Sequence, residues 1–427
     1  MPIAKEHGQF LKVTYSTVSS RQIRTLPALT SLRFIAAIAI VLIHSGTTFG
    51  YQPIAYALPL HQAVSFFFVL SGFVLFYNHP GFASRREICF FYTNRLARIW
   101  PAHIITAMLA MFLTPRIPWP SVANWWIIPL NIFMLHAWVP VPSILLSLNV
   151  VSWALSVEIF FYACFPLLTT QWPRRWHWLM VGGCFLAVSM VALSNHFKVT
   201  RVELDPGISV LGTIYMNPLT RLFEFILGMA AASVFRGTEA IIGWTRNQAT
   251  VVEMGIVLLG ILVMRLCLFN VQRPWLGDAG QYYLLRQGGG LWWAGLIVVF
   301  ALGRGWLSWL LAHPVAVRLG EISFSLYLVH ALVVKHFEAL ASAIKPHQSA
   351  WFCAYWIISL TMAYALWYGV ENPLRRLLVA HARRVILLEE EVKPPSLIAT
   401  SRPMGLGLTG MAGVYFLLYF VRQSLLG

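Results

Sequence analysis

The chain has 427 residues, 58% of them hydrophobic and only 11% charged, with a mean hydropathy of +0.69; soluble domains carry roughly a quarter charged residues, so this composition excludes a soluble globular protein. The formal charge of +16 would suit nucleic acid, but the basic residues flank apolar segments, where they orient helices in a membrane. No basic surface domain is left to hold a polynucleotide, and lipid is the expected surrounding.

Crossing the ~30 Å hydrocarbon core takes about 20 apolar residues in a helix. Such stretches fall near 29–48, 60–78, 99–115, 150–170, 176–194, 216–236, 251–270, 287–303, 314–335, 351–370 and 404–422. Runs such as Phe34 to Ile43 are apolar all round, unlike the short alternating strands of a membrane barrel. The predicted fold is an all-α integral membrane protein, a polytopic bundle of about ten core transmembrane helices with an extra C-terminal helix. Its parts are a cytoplasmic N-terminal segment (1–28), a transmembrane domain (29–378), a cytoplasmic linker (379–403) containing EEEVKPPS, and an apolar helix within 404–427.

The first span carries Arg33 and His44, eleven residues apart. At ~100° per residue they return to nearly one face, about 16 Å apart along the axis. Ionisable groups inside spans are functional candidates, although Arg33 also suits a snorkelling anchor and His44 an interhelical hydrogen bond. With the N-terminus cytoplasmic, Arg33 lies near the inner mouth and His44 in the outer half. The inner loops then hold Arg85, Arg86, Arg95, Arg98, Arg174, Arg175, Arg236, Arg246, Arg304, Arg375 and Arg376, as the positive-inside rule requires.

In the second span, Ser71 and Gly72 of VLSGF follow three phenylalanines, where small residues permit close helix approach. Arg95 and Arg98, at i and i+3 in NRLARIW, fit either topology anchoring or a guanidinium clamp on phosphates. The stretch from Pro118 to Val139 holds Trp119, Trp125, Trp126 and Trp138 among prolines and is placed outside as an interfacial or re-entrant segment. Glu158 in the next span needs a partner, with His44 or an arginine as candidates. Trp153 is positioned to stack on a sugar or to anchor at the interface. Arg221 and Glu224 form an i, i+3 pair of structural type. Ser323, Tyr327 and His330 make a polar stripe at i, i+4 and i+7, which must face protein or water. Glu371 and Arg375, just past the tenth span, are expected to pair on the surface. The five cysteines show neither CxxC nor metal-like spacing to histidine, and no metal is expected.

These segments occur in a telling order: LTSLRFIAAIAIVLIHSG, SFFFVLSGFVLFYN, FYTNRLARIWP, VVSWALSVEIFFYACFPLL, RLFEFILGMAAA, LGEISFSLYLVH and VENPLRR. Together, over about residues 27–378, they resemble the membrane-bound acyltransferase 3 family of bacterial O-acyltransferases. That resemblance implies ten helices in the bacterial inner membrane, multi-pass with a cytoplasmic N-terminus. It implies transfer of an acyl group, usually acetyl, from cytoplasmic acyl-CoA to a hydroxyl of a cell-surface or lipid-linked glycan, with polysaccharide-assembly proteins as possible partners. Arg33 and His44 match its Arg-x10-His pair. Imidazole suits a general base at neutral pH, though His44 would also serve as a nucleophile. Catalytic roles are expected of His44, Arg33 and Glu158; donor binding of Arg33, Arg95, Arg98 and Ser71; and substrate binding of Trp153, Ser323, Tyr327 and His330. The rival class is a transporter or flippase of a lipid-linked sugar, which predicts inverted repeats and broken helices.

Overall fold

The computed structural model describes residues 25–51, 60–113, 125–201, 207–265, 273–340 and 344–392. The segment 1–24, Trp119, Cys267, the residues from 393 of the expected linker and the predicted helix 404–422 lie outside the described residues.

The long helices are α1 (Pro27–Ser45), α2 (Ala63–Asn78), α3 (Arg85–Leu113), α4 (Trp153–Thr169), α5 (Trp172–His196), α6 (Pro218–Thr238), α7 (Arg246–Val263), α8 (Gly277–Gln287), α9 (Gly290–Leu302), α10 (Pro314–Ala339), α11 (Gln348–Leu366) and α12 (Asn372–Val392). Among the described residues, nine helical segments are long and apolar enough to cross a membrane, and α4 is a shorter apolar tenth. The only β pairing described is an isolated bridge between Thr200 and Ser209. This is an all-α multi-pass membrane protein.

Local chemistry sets several helix starts. Pro27, Pro218 and Pro314 occupy first-turn positions, where their missing N–H is harmless and their φ is already helical. Asn217 caps α6 by accepting from Leu219 N at 2.9 Å, and Thr245 with Gln248 forms a capping box on α7.

Three departures from the sequence reading have physical causes. The span expected at 287–303 begins earlier: Pro274–Leu302 forms one membrane-length unit, interrupted between α8 and α9 at Gly288 and Gly289. Asp278, Gln281, Arg286 and Gln287 lower the hydropathy of α8 and hide it. The segment from 379 starts as helix, because α12 continues to Val392. Between α11 and α12, Trp367–Glu371 is a π-helical turn; it rotates Glu371 inward, where its side chain is buried and accepts from Ser325 Oγ at 2.8 Å. Glu371 is therefore not a surface partner of Arg375.

Among the described residues between α3 and α4 the helical pieces are short, Ile127–Ile132, His136–Trp138 and Pro142–Leu145, none able to span. Trp125, Trp126 and Trp138 are exposed. Non-helical backbone at membrane depth must be sheltered by protein, and α10 provides that: Asn149 Nδ2 donates to Leu328 O at 2.9 Å and Tyr327 Oη to Val151 O at 2.8 Å.

The centre of the bundle is α2, α6 and α10, largely buried, whereas α5 and α7 turn Phe185, Val188, Val251 and Leu258 outward. Helices in lipid gain nothing from apolar burial against one another, so close packing must hold them together. A Cβ added at Gly72 would lie 2.0 Å from Phe225 O, and one at Gly228 only 1.9 Å from Val69 O; α2 and α6 thus touch backbone to backbone. Helices α1 and α10 do the same at Gly320, whose Cβ would meet Thr30 O at 2.0 Å.

Gly228→Leu must force α2 and α6 apart and is expected to cost at least about 1–3 kcal/mol, the range for overpacked cores. The check is thermal unfolding of the detergent-solubilised protein, followed as loss of a monodisperse chromatographic peak. Gly237→Ala, whose Cβ meets nothing within 4 Å, should unfold with the parent.

Candidate active site

The basic residues of the short loops gather at one end of the bundle, here called the basic end. A wide depression there is lined by Arg86, Glu87, Asn94, Arg95, Arg98, Arg375 and Arg383, and continues past Arg376 and Arg384. Arg95 and Arg98 also line an inner cavity of about 120 Å³, together with Arg33, Ile40, Phe67, Ser71, Glu158, Tyr162, Ser323 and Tyr327. Across these three connected linings, eight arginines face two glutamates. The channel from surface to interior is therefore strongly cationic. At its mouth, His79 is held below the usual imidazole range by burial and by the neighbouring Arg95 cation, so it adds no charge at neutral pH.

Helix α3 makes this possible by its length. Its 29 residues rise about 44 Å, more than the ~30 Å core needs, so its first turns can overhang the membrane and its third and fourth turns carry Arg95 and Arg98 on one face. Neither they nor Arg33 of α1 form an ion pair among the described residues. The Arg95 guanidinium lies 5.7 Å from the Phe91 ring centroid, and its Nε is buried with no hydrogen-bond partner. Glu158 pairs neither with His44 nor with an arginine: Tyr162 Oη donates to its Oε1 at 2.5 Å and Ser71 Oγ at 3.4 Å. Ser71 thus turns toward α4.

Ile40 marks the inner end of the cavity lining, one helical turn before His44 on the same face of α1. The imidazole of His44 is exposed, while His330 on α10 is fully buried; His44 Nδ1 and His330 Nε2 stand 2.9 Å apart. Of the polar stripe on α10, Ser323 and Tyr327 line the cavity, with Ser323 Oγ donating to Gly320 O at 2.7 Å. His330 does not line it, and its second nitrogen meets Leu326 O at 3.2 Å. The structure thus joins Arg33, Arg95, Arg98, Ser71, Glu158, Ser323 and Tyr327 in one cavity, with His44 and His330 a turn beyond.

Trp153 sits elsewhere. It is 4% exposed and belongs to an aromatic cage around the buried Arg221, whose guanidinium carbon lies 5.9 Å from its ring, 5.3 Å from Phe68 and 4.5 Å from Tyr215. Arg221 pairs with Glu224 at 2.8 Å and donates to Ser65 Oγ at 3.1 Å. Sequence reasoning missed Arg286, which hydrogen-bonds His61 at 2.5 Å and lies over Tyr215 and Tyr282. An arginine in the apolar QYYLLRQGGG stretch was the available signal, blurred because the hydropathy of α8 falls below that of a span.

Removing one member of a buried ion pair strands the other, at about 3–5 kcal/mol. Arg221→Met should therefore destabilise strongly in a thermal melt of the purified protein, and Arg221→Met with Glu224→Gln should recover part of the loss.

Among the described residues, no cluster of three or more His, Cys, Asp or Glu side chains gathers as a metal site. A family model described as an acyltransferase domain matches residues 26–368. The acyltransferase MdmB of Streptomyces mycarofaciens is 30% identical over 396 residues, covering 83% of this chain and 92% of that protein. A Staphylococcus aureus (strain COL) protein named as a putative O-acetyltransferase is 24% identical over 394 residues; the alignment covers 83% of this chain but 58% of the staphylococcal one. No solved structure matches.

Proposed function

Because the chain belongs to the acyltransferase domain family that it matches over residues 26–368, we propose that it transfers an acyl group from acyl-CoA, bound at the basic end, to a hydroxyl of a cell-surface or lipid-linked glycan near His44. It is a membrane acyltransferase for groups other than aminoacyl. The observation that carries it is the set Arg33, Arg95 and Arg98, three guanidinium groups in one cavity of which none is within ion-pairing distance of a carboxylate among the described residues. Unpaired cations inside a membrane bundle are expensive, and the phosphates of CoA supply the missing charge in the bidentate form guanidinium binds best. The length of the pantetheine arm matches the other half of the geometry, since about 16 Å of helix separates Arg33 from His44. Relatives named as O-acetyltransferases make acetyl the first group to test.

In this reading His44 is the general base. Its free imidazole nitrogen takes the proton of the acceptor hydroxyl as the oxygen bonds to the thioester carbonyl carbon. The carbon–sulfur bond then breaks, His44 returns the proton to sulfur, and the products are an ester and free CoA thiol. Ser71 and Tyr162 both donate hydrogen bonds to Glu158 and so fix it in the cavity beside the arginines. By the positive-inside rule the basic end is cytoplasmic, which puts the N-terminus there too, in a bacterial cytoplasmic membrane.

Two measurements test the assignment on membranes with matched expression. With acetyl-CoA, thiol release and labelled-acetyl incorporation into envelope glycans should fall at least about 100-fold in His44→Ala, the lower range for loss of a general base; full activity in that variant would overturn the proposal. Arg95→Ala and Arg98→Ala should each raise KM for acetyl-CoA about tenfold or more, the worth of a charged hydrogen bond. With acetyl-pantetheine, which lacks the nucleotide phosphates, the same variants should behave like the parent.

A further inference from the structure

Resting on the general-base reading of His44, the geometry points to His330 as a positioning residue that fixes His44 in the tautomer the reaction needs. Hydrogen-bond logic assigns the protons. His330 Nδ1 lies 3.2 Å from the backbone carbonyl of Leu326, and a carbonyl oxygen only accepts, so the proton of neutral His330 is on Nδ1. Its Nε2 is then a lone pair. A charged His330 would be an imidazolium at 0% exposure with no carboxylate bonded to it, an arrangement proteins avoid. Because His44 Nδ1 is 2.9 Å from that lone pair, it must be the donor. The proton of neutral His44 therefore sits on Nδ1, and its Nε2, on the exposed ring, is left basic.

The ring geometry agrees. The two imidazoles are coplanar within 8° with centroids 5.2 Å apart, a separation accounted for by the 2.9 Å N···N distance and one ring radius on either side. They meet edge to edge along the hydrogen bond rather than face to face, and rotation of His44 about its side chain breaks the contact. Both rings are carried by helices in backbone contact, since Gly320 of α10 abuts Thr30 of α1. The Tyr327 ring, 5.9 Å from His330 and tied by its hydroxyl to Val151 O, closes the remaining side. When His44 Nε2 takes the acceptor's proton, the resulting imidazolium already has its other N–H held by His330. A carboxylate would do this more strongly, but would add a buried anion beside the apolar end of the cavity. With both nitrogens engaged and no exposed surface, His330 presents no polar atom to a sugar, so its part is to orient His44 rather than to bind substrate.

The test uses full-length protein in membranes and in nanodiscs. His330→Ala should lower kcat for acetyl-CoA thiol release at least about 100-fold, since general-base catalysis is worth that much, with KM for acetyl-CoA unchanged. His330→Gln, whose side-chain carbonyl accepts from His44 Nδ1, should regain most of kcat. In a His44→Ala background, His330→Ala should have no further effect. Unchanged kcat per folded molecule in His330→Ala, or a glutamine variant no better than alanine, would overturn the inference. Nitrogen-15 chemical shifts of His44 give a readout independent of activity: a protonated Nδ1 and unprotonated Nε2 are expected, and the opposite tautomer refutes the assignment even if every variant unfolds. If the parent itself releases no thiol, the acyl-CoA reading fails, and the nitrogen shifts still decide the role of His330.

Discussion

Three guanidinium groups have to be kept inside a helical membrane protein without ion-pair partners, and much of this architecture follows from that requirement. Arg33, Arg95 and Arg98 share a cavity with one carboxylate, Glu158, which is bound to Ser71 and Tyr162 instead. The contrast with Arg221 is instructive. That arginine is also fully buried, yet it has Glu224, Ser65, the Tyr215 carbonyl and three aromatic faces. One site is charge-neutralised from within and therefore structural; the other is left open to an incoming anion. The overhanging first turns of α3 keep the open site tolerable by connecting it to a wet, basic vestibule.

Backbone-level packing supplies the rigidity such a site needs. At Gly72, Gly228 and Gly320 a single added carbon would collide with a carbonyl oxygen, so α2 with α6 and α1 with α10 have almost no freedom to slide. The α1–α10 contact joins the two ends of the reaction path. Near the basic end, Gly320 abuts Thr30; toward the other, His44 meets His330. A helix held at both points delivers Arg33 and His44 to opposite ends of one cavity axis.

Irregular backbone appears where the helices alone would aim side chains wrongly. The π turn at Trp367–Glu371 brings Glu371 inward to Ser325, close to where the basic vestibule meets α10 and α12. The broken stretch between α3 and α4 is sheltered by Asn149 and Tyr327. Its attachment to α10 ties the segment that leads into α4 to the helix that carries His330.

Composition and hydropathy by themselves determined the class and nearly all the spans, because a helix in hydrocarbon must be apolar over its whole length and its charges must collect at its ends. The eleven-residue spacing of Arg33 and His44 determined that they share a face, and the family resemblance named the chemistry. Tertiary structure alone decided the partners. Periodicity along one helix says which way a side chain points but not what faces it, so Glu158 was assigned to His44 or an arginine and found Tyr162 and Ser71, and Glu371 was read as exposed although a single π turn buries it. Helix α8 escaped notice because its polar residues, Arg286 among them, are compensated by protein rather than by water, and hydropathy cannot register compensation from another helix. The His44–His330 contact joins residues 286 positions apart, a separation at which no local pattern operates; only the close approach of α1 to α10 brings them together.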